Sequence, residues 1–228
     1  MKGRSLVKFG TPTYAVLGLG RFGSAVGREL MFDDATVVGI DLEESAVKRN
    51  NGLLSKVVQA DCTDVATIDE LGISEFDGVV VAIGGAHVEA SILTCSLLVD
   101  VGVENLWAKS SGNAHGRILD QIGVPHAVHP EEAMGRRVAH LVRGANLDYV
   151  ELSSGTALVH TVVPTHVAGP LDEQALWQSH GVKVIAVRRE DRWQPVLGHM
   201  VLVAGEQVQI YGDSRRVEKF SRMAARRR

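Results

Sequence analysis

The feature that most constrains this chain is a glycine cluster, Gly18-Leu-Gly20-Arg-Phe-Gly23, set between a short apolar run and a helical pattern. Tyr14-Ala-Val-Leu17 reads as a buried strand, and Arg21 to Met31 as the helix that follows it. In that setting Gly18 permits a tight turn, Gly20 lets a diphosphate approach the backbone, and Gly23 lets helix and strand pack closely. The helix start then offers free N–H groups and a positive dipole end to phosphates. Asp41 closes the next apolar run, 18 positions after Gly23. An acid there accepts hydrogen bonds from ribose hydroxyls and disfavours a 2′-phosphate by charge.

The same rhythm continues. Strands are expected at 56–59, 78–83, 105–109 and 126–128, with helices at 43–51, 64–71, 87–101 and 112–122 between them. Strands that are apolar throughout and alternate with helices imply a parallel sheet covered on both faces. The expected architecture is therefore α/β: a doubly wound, Rossmann-type first domain over residues 12–145, ending in a helix from Glu131 to Arg143. After Asn146 short strands punctuated by Gly155, Gly181, Gly198, Gly205 and Gly212 suggest a smaller α+β domain over residues 146–228. Its strands are expected at 148–152, 158–163, 182–188, 200–204 and 208–211, and its helices at 171–179 and 214–224. Residues 1–12 read as a mobile lead-in and Arg226-Arg-Arg228 as a solvated tail.

Charge and composition exclude several classes. The net charge of −3 argues against a nucleic-acid binder, whose footprint is usually strongly basic. Two cysteines, Cys62 and Cys95, do not make a disulfide framework and suit a reducing cytosol. No apolar run reaches the roughly 20 residues that span a bilayer, so a soluble, intracellular protein is expected. A catalytic constellation is not evident: there is no Tyr-x-x-x-Lys, no G-x-S-x-G and no P-loop. The nine histidines are scattered without metal-ligand spacing; His126 and His129 are three apart, but the strand end between them argues against a shared metal site.

Other residues fall at the carboxyl edge of the expected sheet, where open α/β folds bind ligands. Arg21 sits inside the glycine loop, within reach of a terminal phosphate or of a surface ion-pair partner. Asp61-Cys62 follows the third strand, where an adenine would lie, and the Cys62 thiol reads first as core packing. Lys109 ends the fifth strand. His129-Pro130-Glu131 opens the next helix, where a proline and an acid are also ordinary helix-start chemistry.

Together these stretches resemble the KtrA/TrkA family, regulatory subunits of bacterial potassium uptake systems built from an RCK N-terminal and an RCK C-terminal domain. The resemblance rests on Gly18-Leu-Gly-Arg-Phe-Gly23, Gly39-Ile-Asp41, Ala60-Asp-Cys-Thr-Asp64, Leu71-Gly-Ile73, Val79-Val-Val-Ala-Ile-Gly84, Leu106-Trp-Ala-Lys109 and His129-Pro-Glu131 with Met134-Gly135. It implies a homo-oligomer, dimers assembling into an octameric ring, seated on a membrane-embedded K⁺-translocating subunit at the inner face of the cell membrane. It implies ATP or ADP, with NAD or NADH as the alternative, in a cleft formed by Gly18, Gly20, Arg21, Phe22, Gly23, Asp41, Asp61, Cys62, Ala82, Ile83, Gly84 and Lys109. Arg21 would meet the γ-phosphate, and Glu131 would help hold a divalent cation at the nucleotide of a neighbouring subunit. The helix at 131–143 would lead into a dimer partner; packing on its own sheet is the other reading.

Where relatives bind cyclic di-AMP, this chain has Ala175-Leu-Trp-Gln-Ser-His-Gly181 and lacks the arginine of the family, so that ligand is not expected and Trp177 reads as a core or dimer-contact residue. Other readings remain: an NAD(H)-responsive regulator of Trk type, an RCK subunit of a K⁺ channel, and a small NAD-dependent oxidoreductase for which no proton donor can be named.

Overall fold

A computed structural model of the chain describes residues 10–143, 146–152, 155–198 and 200–225. Most of the expected lead-in, Gly144 just after the sixth expected helix and the Arg226-Arg-Arg228 tail lie outside the described residues. The chain divides into two compact units, residues 1–130 and 131–228.

The first unit holds strands β1 (Thr13–Leu17), β2 (Thr36–Asp41), β3 (Lys56–Gln59), β4 (Gly78–Val81), β5 (Leu106–Lys109) and β6 (His126–Val128). They form one parallel sheet in the order β3-β2-β1-β4-β5-β6. Helices α1 (Arg21–Leu30), α2 (Glu44–Asn50), α3 (Val65–Glu70), α4 (Val88–Asp100) and α5 (Asn113–Gln121) make the connections. The order reverses between β1 and β4, which opens a crevice at the carboxyl ends of those strands. Two apolar clusters form the layers of this core. Leu17, Ile40, Val79, Val81, Leu98, Leu106 and Leu119 meet in one, and Val16, Leu19, Val37 and Leu54 in the other.

The second unit begins with α6 (Pro130–Val142), whose first residue belongs to the first unit. Strands β7 (Asp148–Glu151), β8 (Thr156–Val162), β9 (Gly169–Pro170), β10 (Val182–Arg189), β11 (Arg192–Pro195), β12 (Val201–Leu202) and β13 (Gln207–Asp213) follow, with helices α7 (Glu173–His180) and α8 (Ser214–Ala225). β11-β10-β13-β8-β7 is an antiparallel sheet, and β9 pairs with β12 beside it. Strands β7, β8, β10 and β13 alternate buried and open residues, as a sheet covered on one face does. Tyr149, Val159, Val184, Ile210, Val217 and Phe220 lie in its core.

Two features differ from the sequence expectation. First, α6 packs on the second unit, so the chain divides at 130/131 and not at 145/146. The cause is chemical. Arg137 donates to Asp148 (2.7 Å), Arg136 to Glu151 (3.2 Å), and His140 stacks on Tyr149 and bonds Glu218. Leu141 joins the apolar core of the same unit. Second, β9 and β11 have no counterpart in the sequence reading. β11 is polar and lies at a sheet edge, and its hairpin turns through Glu190 and Asp191, both with positive φ (49° and 58°). Such turns normally advertise themselves with Gly or Asn, and this one does not. Trp177 on α7 is 51% exposed and is not a core residue.

Candidate functional site

The glycine loop owes its shape to backbone crowding. Gly18 has φ +95°, and a Cβ there would lie 2.9 Å from the Ile83 nitrogen. A Cβ on Gly23 would overlap the Gly18 carbonyl oxygen and press on Ala82. Gly20 is different. It caps α1 in an extended conformation, and nothing lies within 4 Å of the Cβ it lacks. Two glycines therefore serve the fold, and the third leaves open space where a ligand backbone contact is expected. No side chain caps the start of α1, so its first N–H groups point outward for an anion.

Asp41 ends β2 beside this loop. Its Oδ2 accepts from the Leu19 N–H (2.6 Å) and its Oδ1 from the Glu43 N–H (2.8 Å). The carboxylate thus holds the glycine loop against the end of β2. Each oxygen keeps lone-pair capacity for a further donor, such as a ribose hydroxyl.

Lys109 ends β5 and reaches back across β4. Its Nζ stands 5.7 Å from the centroid of the Phe22 ring, in the first turn of α1. The lysine stem passes over Gly84, where a Cβ would meet its Cδ at 3.6 Å. Ser111 accepts from the Gly85 N–H (3.2 Å) and joins the loops that follow β4 and β5. Behind it, the Ser111 N–H donates to Nδ1 of the buried His115. Burial, then the neighbouring His129, lowers the His115 pKa, so the ring is neutral and carries its proton on Nε2. Ser111 and His115 had no signal in the sequence, because each acts through loop geometry.

Arg21 is exposed at the first position of α1. Asp61 follows β3, with its Oδ1 accepting from the Thr63 N–H (2.9 Å) and hydroxyl (2.7 Å). Those two bonds, the backbone one first, hold its carboxyl below the ordinary value. Cys62 turns inward, 5% exposed, into the core. Burial first, then the charges of Asp61 and Asp41, push its thiol up to about 12. Only the backbone of Cys62 can meet a ligand. Ala82 is buried and Ile83 packs on the core, so this stretch too offers backbone, with Gly84 at its end. All of these residues stand on one edge of the parallel sheet. Glu131 lies on α6 in the other unit. Among the described residues no group of three or more His, Cys, Asp or Glu is placed to hold a metal ion.

The strand order, the open α1 start and Asp41 define a Rossmann-type nucleotide-binding domain. Residues 14–130 match the TrkA-N domain model, and the chain belongs to that family. It is 36% identical over 178 residues to Ktr system potassium uptake protein C of Bacillus subtilis (strain 168), covering 77% of this chain and 80% of the relative. It is 37% identical over 185 residues to Ktr system potassium uptake protein A of Vibrio alginolyticus, covering 80% and 84%. Among solved structures it is similar to the GsuK channel bound to NAD, with a TM-score of 0.51 at 21% identity, over 99% of this chain and 40% of that one. That likeness speaks to fold. No helix among the described residues is long and apolar enough to cross a membrane.

Proposed function

We propose that the chain is a cytosolic regulatory subunit of a potassium uptake system, gated by the exchange of ATP and ADP in the first unit. The observation that carries this is the α1 N-terminus. Its N–H groups lack a side-chain cap, Gly20 leaves room above it, and two cations stand at it, Arg21 and Lys109. A site with that much positive charge suits a chain of phosphates. The names of the two Ktr relatives support the uptake system as its setting. The reading is regulatory: the described carboxyl edge offers donors and cations suited to holding a nucleotide, and the relatives are named as potassium uptake proteins.

The adenosine would lie along the ends of β2 and β3, with Asp41 on the ribose. ATP differs from ADP by one phosphate and its charge. To switch anything, that phosphate must favour one conformation of the assembly over another. Arg21, exposed within the loop, is the residue placed to read it. Assembly into dimers and an octameric ring on a membrane-embedded K⁺-translocating subunit belongs to the same reading, as does a divalent cation held with Glu131. Titration calorimetry tests it: Arg21→Ala weakens ATP about tenfold more than ADP, and an equal loss for both ends the idea.

One observation favours a second reading. Asp41 and the glycine loop suit a dinucleotide equally well, and a structural neighbour is a channel bound to NAD. Melting curves with ATP, ADP and NADH side by side separate the two, because a ligand of the native state raises the midpoint.

A further inference from the structure

The two units carry opposite charge. Residues 1–130 hold 10 Lys/Arg against 16 Asp/Glu, and residues 131–228 hold 14 against 11. The positive excess concentrates on α8, which has Arg215, Arg216, Lys219 and Arg222 against the single acid Glu218. Three more arginines follow at 226–228 in the sequence. Arg215, Lys219 and Arg222 are spaced i, i+4, i+7 and fall within about 60° of one another around the helix. All three are exposed.

Local stability does not account for this stripe. Like charges at i, i+4 disfavour a helix, and Arg215 and Arg216 sit in the first turn, where the dipole disfavours cations. That turn contains no acid. The one carboxylate within the helix, Glu218, is buried and already bonded by His140, Arg143 (3.0 Å) and Arg222 (2.8 Å), and Asp213 just before the helix is engaged by the backbone N–H groups of Arg215 (3.0 Å) and Arg216 (3.3 Å). Arg215 and Lys219 have no carboxylate partner among the described residues. The opposite side of α8 offers nothing to insert into a bilayer, since Val217, Phe220 and Met223 pack in the core of the unit.

We infer that the exposed stripe of α8 docks on the anionic lipid headgroups of the membrane in which the uptake system sits. The inference rests on the proposed membrane setting. Lipid is favoured over the membrane subunit itself, because cytoplasmic loops of membrane proteins carry excess Lys and Arg and repel a cationic stripe. The contact is electrostatic, so it fades as salt rises and the screening length shortens.

Co-sedimentation of the full chain with vesicles tests this. The expected result is binding to phosphatidylcholine containing about one-third phosphatidylglycerol, no binding to phosphatidylcholine alone, and release by salt. Arg215→Gln with Lys219→Gln, two exposed side chains with no carboxylate partner among the described residues, lowers that binding about 30-fold, at about fivefold per charge. Equal binding to both vesicles, no binding to either, or an unchanged double variant overturns the inference. So does binding of poly-glutamate without binding of anionic vesicles, which marks an acidic protein segment as the partner. A lipid-free change in oligomeric state in the double variant likewise overturns it in favour of a second copy. The vesicles hold no transporter and the assay needs no nucleotide, so failure here leaves the nucleotide-gating reading intact.

Discussion

The two units are held together by different physics. In the first, six parallel strands bury apolar side chains on both faces, and the polar bonds at the carboxyl edge run mostly to backbone, as from Leu19 and Glu43 to Asp41. In the second, a half-open antiparallel sheet is fastened by arginine–carboxylate pairs: Arg137 on Asp148, Arg189 on Glu206, Arg143 and Arg222 on Glu218. The first unit therefore keeps at that edge a helix start with no side-chain cap, open to a ligand, while its core stands apart from charge. The second commits its charges to its own frame, and its stability follows the ionisation of a few acids.

The sharpest break of this comparison lies in the glycine loop. Gly23→Ala forces a Cβ into the Gly18 carbonyl oxygen, a clash of backbone that no side-chain rotation relieves. The expected cost is about 3 kcal/mol of first-unit stability, read as a lower urea midpoint with the second unit unchanged. A variant as stable as the parent would mean that the loop can shift, and that Gly23 is not a packing residue.

Next in size is Glu218. Burial raises its carboxyl pKa, but bonds from His140 and Arg222 and the charge of Arg143 outweigh this and hold it below the ordinary value. Glu206 follows the same pattern through Arg189, and Asp148 through Arg137. An acid whose folded pKa is depressed adds stability above its unfolded pKa, and that stability is lost as pH falls through the folded value. The second unit should therefore loosen first on acidification, from about pH 4.5 downward. A Trp107→Phe chain leaves Trp177 and Trp193 to report that unit by fluorescence. Glu218→Gln should cost about 2 kcal/mol at neutral pH, a value reduced for its exposed arginine partners. It should also flatten the acid limb of the curve. An acid limb unchanged in that variant would remove Glu218 from the account.

The comparison also shows what sequence can convey. The first unit was legible because continuous apolar strands and glycines at turns leave local marks. β3 and β6 match the expected spans to the residue, and Gly18 and Gly23 are crowded where the motif requires it. The second unit was less so. β11 begins after a turn of Glu190 and Asp191 that carries no glycine, and the attachment of α6 depends on arginines finding carboxylates on β7. Such pairs are long-range and have no period. Within the site, spacing found Asp41 but not its two bonds to backbone, whereas the Cys62 thiol turns into the core as its residue type suggested.

The smallest expected change in stability tests the site most directly. Gly20→Ala meets open space, and the residue already holds an extended conformation that alanine adopts freely. Folding stability should move by no more than about 0.5 kcal/mol. The added methyl nevertheless occupies the path by which a diphosphate reaches the α1 N–H groups, so nucleotide affinity should fall about tenfold or more by calorimetry. Gly23→Ala and Gly20→Ala then form a pair: one damages the fold, the other the site alone. If Gly20→Ala bound nucleotide as the parent does, the open space above α1 would not be the phosphate site. Arg21 and Lys109 would then have to act on an anion held elsewhere along the sheet edge.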